Sequence, residues 1–288
     1  MTITCEVSDG DGSGRYGRLV TTLSPTAGVG DLLRGWRQRR RLSQLDLSSE
    51  AEVSARHLSF VETGRSRPSR ELVLHLAEHL DVPLRERNSL LLAAGYAPAY
   101  RERSLDDEGM DPVRTALDRI LGGHEPYPAV IVDRRWDLVS ANASALGLFT
   151  VGVAPELLEP PINVYRLGLH PNGLAPRVRN MAEYSAHLLV RLQRDAALSG
   201  DPELAALLDE VRGYPGMAEP SPAVVDPAQL LFLPMEIEGP DGEALSFFST
   251  LATFGTPLDV TVAELCIEAF FPADDVTREA CVRAAARA

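Results

Sequence analysis

Residues 42–69 read LSQLDLSSEAEVSARHLSFVETGRSRPS, and this stretch decides how the first third of the chain folds. Ser43 offers a side-chain oxygen to the free amides of a helix that begins at Gln44. Ser54 does the same for a second helix, in which Leu58 and Val61 fall on one face. Gly64 ends that helix, and Arg65, Ser66, Arg67 and Pro68 form a basic connection to Ser69, which caps the next. Helix, tight turn, helix and cationic loop predict a unit that lays its second helix in the major groove of DNA.

Outward from this stretch the pattern stays helical. Asp31 opens a helix with Leu32, Leu33 and Trp36 on one face, and Arg34, Arg37, Arg39, Arg40 and Arg41 crowd the rest. After Ser69, the spacing of Leu72, Val73, Leu76, Ala77 and Leu80 predicts a fourth helix, and residues 84–94 a fifth. Five short helices make one compact all-α domain over residues 28–100. Residues 1–27 lack any sustained apolar period and read as a flexible tail. The Asp9, Gly10, Asp11, Gly12 cluster within it lacks the later ligands of a calcium loop.

A length of 288 residues suits two domains, and 45% hydrophobic residues suffice for proper cores. No apolar run is long and clean enough to cross a bilayer, and no signal-peptide pattern opens the chain, so a cytoplasmic protein is expected. Cys5, Cys266 and Cys281 are scattered and odd in number, which fits a reducing compartment and no structural metal. The net charge of −13 argues against DNA binding until it is divided by region. Between Gly28 and Arg103, 13 arginines meet 10 acids, whereas the remainder holds 15 arginines against 31 acids. The positive charge is thus concentrated where phosphates would be met.

The residues Trp36-Arg37, Leu42-Ser43-Gln44, Val53-Ser54, Leu58-Ser59, Val61-Glu62-Thr63-Gly64-Arg65 and Pro68-Ser69 resemble the lambda-repressor-like, or XRE-type, family of DNA-binding domains. One departure lies at the turn, where the family usually has Gly and this chain has Glu52. A positive φ there would cost about 1 kcal/mol. The resemblance also implies that Arg37 pairs with Glu62 inside the domain, and that Gln44 approaches the phosphate backbone.

With Leu58 and Val61 inward, Ser54, Ala55, Arg56, Ser59 and Phe60 are left near the groove. Arg56 can donate a bidentate pair to guanine, and Ala55 and Phe60 can touch a thymine methyl. Core packing is the competing reading for Phe60. Arg65, Arg67 and Ser69 are the other expected phosphate contacts, which set register without reading sequence.

Residues 101–111 are charged and apolar-poor and read as a linker to a second domain over residues 112–288. A helix is expected over 112–121 with Val113, Ala116, Leu117 and Ile120 inward. Residues 129–133 and 136–140 read as two strands of a hairpin, and Asn142 caps a helix through Phe149. Long helices over about 176–198 and 202–212 follow. Residues 230–238 and 244–254 form a second hairpin, 262–271 a further strand, and a short helix closes the chain. The whole is α+β: an antiparallel sheet with helices behind an all-α reader. The stretches PYPAVIVDRRWDLVSAN and LSFFSTLATFGTPLDVTVAELCIEAFFPAD resemble the PAS-like C-terminal domain of the MmyB-like transcription regulators. That resemblance implies a small, fatty-acid-like ligand.

Trp136, Phe149, Tyr184, Leu188, Phe232, Phe247 and Phe254 are large apolar groups on elements that should face each other, either lining a pocket or filling a core. His187 and Arg191, one turn apart on the long helix, are placed to hold a carboxylate head. No nucleophile elbow or metal pair appears, and a Gly-rich loop ending in Gly-Lys is impossible in a chain without lysine. The expectation is a non-enzymatic regulator without a cofactor, binding a palindromic double-stranded operator as a homodimer under control of a small apolar ligand. The alternative is a second domain that only dimerises or binds a partner protein.

Overall fold

The computed structural model describes residues 27–217 and 234–286. The tail with Cys5, and Phe232 with the start of the strand expected from 230, lie outside the described residues. The described residues divide into two compact units, the first running to Val82 and from Glu86 to Ala99, the second taking Pro83–Arg85 and the chain from Tyr100 onward.

The first unit holds α1 (Val29–Arg39), α2 (Gln44–Glu50), α3 (Ala55–Glu62), α4 (Arg70–His79) and α5 (Leu84–Ala93). Ser43, Ser54 and Ser69 cap α2, α3 and α4, each accepting from a backbone amide three residues on. At Ser43 the cap is reciprocal, because Asp46 accepts from the Ser43 amide in return. Leu33, Trp36, Leu47, Leu58, Val61 and Leu76 meet in one core. Each fully buried leucine contributes roughly 1.5–3 kcal/mol. The α2–α3 turn places Glu52 at φ 51°, the left-handed conformation that the missing glycine would have eased. Gly30 lets α1 close on α3, since a Cβ there would lie 2.4 Å from the Val61 carbonyl oxygen.

The second unit carries β1 (Ala129–Val132), β2 (Leu138–Ala141), β3 (Met235–Glu238), β4 (Ala244–Thr253) and β5 (Cys266–Pro272). They form one antiparallel sheet in the order β2-β1-β5-β4-β3. Its helices are α6 (Asp111–Gly123), α7 (Ala143–Phe149), α8 (Val164–Leu169), α9 (Met181–Ser199), α10 (Pro202–Arg212), α11 (Val260–Ala263) and α12 (Asp275–Ala285). Strand alternation splits the apolar residues between two faces. Ala129, Ile131 and Ile267 pack with Leu117 and Leu121 of α6. Val130, Val132 and Phe270 pack on the other face with residues of α7 to α10.

Several expectations change. Residues 101–111 do not hang as a linker: Met110 is fully buried and Arg103 pairs with Asp259 at 2.9 Å. Ile120 points outward, because α6 turns Leu117 and Leu121 to the sheet. The strand expected from 262 begins at Cys266, since Asp259 caps a helical turn by accepting from the Thr261 amide. Trp136 sits in the hairpin turn at φ 66°, where Asp133 accepts from the amides of Arg135 and Asp137, so β2 starts two residues later. The long helix starts at Met181, and α8 had no clear period to announce it.

Candidate functional site

In the first unit the face of α3 turned from the core carries Ser54, Ala55 and Arg56, all exposed, with Ser59 and Phe60 half-buried. Phe60 lies outside the core cluster. The Arg56 guanidinium stands 5.4 Å from its ring centroid and that of Arg65 6.0 Å, so one ring carries two cations. Among the described residues neither guanidinium makes an ion pair or a hydrogen bond, which leaves their donors free for phosphate or base edges.

Three other expected contacts are engaged within the unit. The Gln44 amide donates to Glu62 Oε2 at 2.7 Å. Arg67 donates from Nε and Nη2 to the Ala94 carbonyl at 3.1 and 2.8 Å, closing the end of α5, and lies over Tyr96. The Ser69 hydroxyl accepts from the Leu72 amide. Glu62 is the organising acid: Arg37 reaches both of its carboxylate oxygens, and Arg34 donates to its main-chain carbonyl. Burial pushes the Glu62 carboxyl up, but the hydrogen bonds from Arg37 and Gln44 and the charges of Arg37 and Arg34 outweigh it, leaving the group below its ordinary range.

In the second unit a cavity of about 80 Å³ opens between the sheet and α7 to α9. Val130, Leu138, Phe149, Leu167 and Leu188 supply apolar walls, and Tyr165, Tyr184, Arg191 and Glu268 supply its polar end. A smaller cavity of about 30 Å³ shares Tyr184, Arg191 and Glu268 and adds His187, Phe247 and Ser249. The expected ligand residues Phe149, Tyr184, Leu188 and Arg191 therefore meet at the first cavity, and His187 and Phe247 join at the second. Trp136 lines neither; its ring backs the Arg191 guanidinium at 4.1 Å. Phe254 packs on the α6 face of the sheet and cannot join them.

Arg191 is held at Nε, at Nη1 and on one face of its guanidinium. Its Nε donates to the Tyr165 hydroxyl at 3.0 Å, and Nη1 meets Glu268 Oε1 at 3.3 Å. Ser249 donates to the same oxygen at 2.9 Å. Burial opposes the arginine's charge, yet Glu268 and the Tyr165 hydroxyl hold it firmly protonated. Burial and the Arg191 charge push His187 below its ordinary value, so its imidazole is neutral at neutral pH. Burial raises Asp195, which accepts from the Trp136 indole at 3.2 Å. Sequence reading missed Tyr165 and Glu268. Glu268 had a signal, as the one charged residue in the strand CIEAFFP; Tyr165, on the unannounced α8, had none.

No helix among the described residues is long and apolar enough to cross a membrane. Comparison with known proteins matches residues 29–90 to a helix-turn-helix domain and residues 113–283 to the MmyB-like transcription regulator ligand binding domain. Two curated relatives, the transcriptional regulator ClgR of Mycobacterium tuberculosis strains CDC 1551 / Oshkosh and ATCC 25618 / H37Rv, are each 39% identical over 75 residues. That alignment covers 26% of this chain and 64% of each relative, so it spans less than two thirds of their length. A solved structure of an RNA-binding light-oxygen-voltage receptor aligns over 91% of this chain and 63% of its own, at 13% identity and a TM-score of 0.28, too slight to carry an argument. The helix-turn-helix of the first unit and the matched second unit place the chain among transcriptional regulators, and it belongs to the MmyB-like transcription regulator ligand binding domain family.

Proposed function

We propose that this regulator binds a palindromic duplex operator as a homodimer, and that a small apolar molecule in the second unit controls the binding. Arg56 reads bases from α3, supported on Phe60, and Arg65 fixes the helix against phosphate. Two copies of α3 would enter successive major grooves about 34 Å apart.

The observation that carries the ligand reading is the apolar cavity that ends on a half-buried arginine paired with a buried glutamate. A purely structural core would close over that space with side chains. The cavity is smaller than the roughly 300–1,000 Å³ of ordinary ligand sites, so a ligand must displace its walls on entry. That displacement gives a ligand different affinities for two arrangements of the unit, as control of DNA binding requires. The test is mass spectrometry of molecules extracted from the purified protein, with thermal unfolding across a panel of aliphatic compounds. No extracted molecule and no shift in midpoint would leave the second unit as a dimerisation or protein-interaction module.

A further inference from the structure

The polar end of the cavity carries its own counter-ion. Glu268, 9% exposed at its side chain, neutralises Arg191, and Asp195 stands close enough to act on the same cation. His187 adds no positive charge, because it is held neutral. An aliphatic carboxylate at this end would place another anion against a cation that Glu268 already neutralises, in a poorly solvated site, which is costly.

Two donors remain. The Tyr184 hydroxyl borders both cavities and makes no hydrogen bond among the described residues. Arg191 Nη2 likewise has no hydrogen-bond acceptor among them, because Nε and Nη1 are the nitrogens used. Both can donate to an oxygen that brings no charge. Resting on the ligand reading above, we infer that the ligand's polar end is an uncharged oxygen acceptor, such as a hydroxyl, ketone, ester or amide, received by Tyr184 and Arg191, and that Glu268 selects against a carboxylate.

The test uses the full chain and two matched probes, 1-hexanol and hexanoate, with cyclohexane as an apolar control, titrated at neutral pH and followed by two-dimensional NMR. The wild-type protein binds the alcohol at least about tenfold more tightly, because hexanoate would have to bury a second anion beside Glu268. Glu268→Gln keeps an oxygen for Ser249 and Arg191 but removes the competing charge, and it moves the ratio at least about tenfold toward hexanoate. Tyr184→Phe weakens 1-hexanol severalfold while leaving cyclohexane unchanged. Tighter wild-type binding of hexanoate, or a ratio unmoved by Glu268→Gln, would overturn the head-group assignment and leave the ligand reading standing. Absence of binding by 1-hexanol, hexanoate and cyclohexane alike would overturn both. The wild-type ratio decides the matter even where Glu268→Gln fails to fold.

Discussion

Arg37 grips Glu62 with a two-point fork, Nε to Oε1 at 2.7 Å and Nη2 to Oε2 at 2.9 Å, and so ties α1 to the last turn of α3. The Glu62 side chain is fully buried. Removing one partner of such a pair leaves the other charge without compensation, which costs about 3–5 kcal/mol. Arg34 and Gln44 also hold Glu62, so Arg37→Ala should fall at the low end of that range, read from urea unfolding of the first unit's signal. A loss below about 0.5 kcal/mol, the size of a surface pair, would show that the fork does not secure the reader.

The same pair sets an acid limit. Glu62 titrates lower folded than its ordinary value of 4.5, so the unfolded chain binds more protons in the interval between the two values. The stability this group contributes is present above 4.5 and is lost as pH falls toward the lowered folded value. Midpoints measured below pH 4.5 should therefore drop, and Arg37→Ala should flatten that part of the profile. An equal slope in both proteins would assign the acid limit to other carboxylates.

Arg56 and Arg65 share one ring but should fail differently. Arg56→Ala relaxes sequence preference, losing about 1–3 kcal/mol of discrimination between operator variants. Arg65→Ala weakens all DNA nearly equally and lowers the salt slope by about 1. Phe60→Leu should do some of both without unfolding the unit, because the ring stands outside the core. Arg67→Ala should instead destabilise the unit by about 1–2 kcal/mol, since its guanidinium closes the end of α5. Anisotropy titrations over a salt series, with unfolding curves beside them, separate these outcomes.

The first unit was legible because its folding signals are local. Ser43, Ser54 and Ser69 announce helices through contacts three residues away, and Leu58 and Val61 define a face by spacing alone. What spacing could not show was which arginines the fold consumes. Arg65 and Arg67 read alike in the sequence, yet Arg67 meets a carbonyl 27 residues later. In the second unit β1 and β5 pair across more than a hundred residues, and strand order alone decides which side chains share a face. Phe247 and Phe254 look equivalent as aromatic residues near the ends of one apolar run. Seven residues apart in extended chain, they fall on opposite faces of the sheet. Glu268 is the lone acid of its strand, but its partner on α9 is 77 residues away, so spacing gave it no role.

Glu52 offers a prediction with a sign that sequence statistics alone would not fix. Its φ of 51° strains a residue with a Cβ, which favours glycine by about 1 kcal/mol. Glycine also gains freedom in the unfolded chain, which offsets up to about that much. Because Glu52 is exposed, its side chain contributes little to set against the relief. Glu52→Gly should thus be neutral to mildly stabilising, and Glu52→Val destabilising by more than 1 kcal/mol, since a β-branched residue resists positive φ most. Thermal unfolding of the two variants in parallel checks the ordering, and a reversed ordering would mean that the turn relaxes.

Arg191 and Glu268 on the ligand side should be strongly non-additive. Arg191→Met leaves Glu268 facing an apolar cavity with Ser249 as its remaining donor, and should cost about 3–5 kcal/mol. Glu268→Gln leaves Arg191 with Tyr165 and the Trp136 face, and should cost less because the guanidinium keeps a hydrogen bond and a π surface. The double variant removes both charges. It should therefore lie closer to wild type than Arg191→Met alone, giving a coupling of at least about 1 kcal/mol in a double-mutant cycle. Additive losses would mean that the two groups are solvated separately, at variance with the 3.3 Å contact and the low exposure of both side chains.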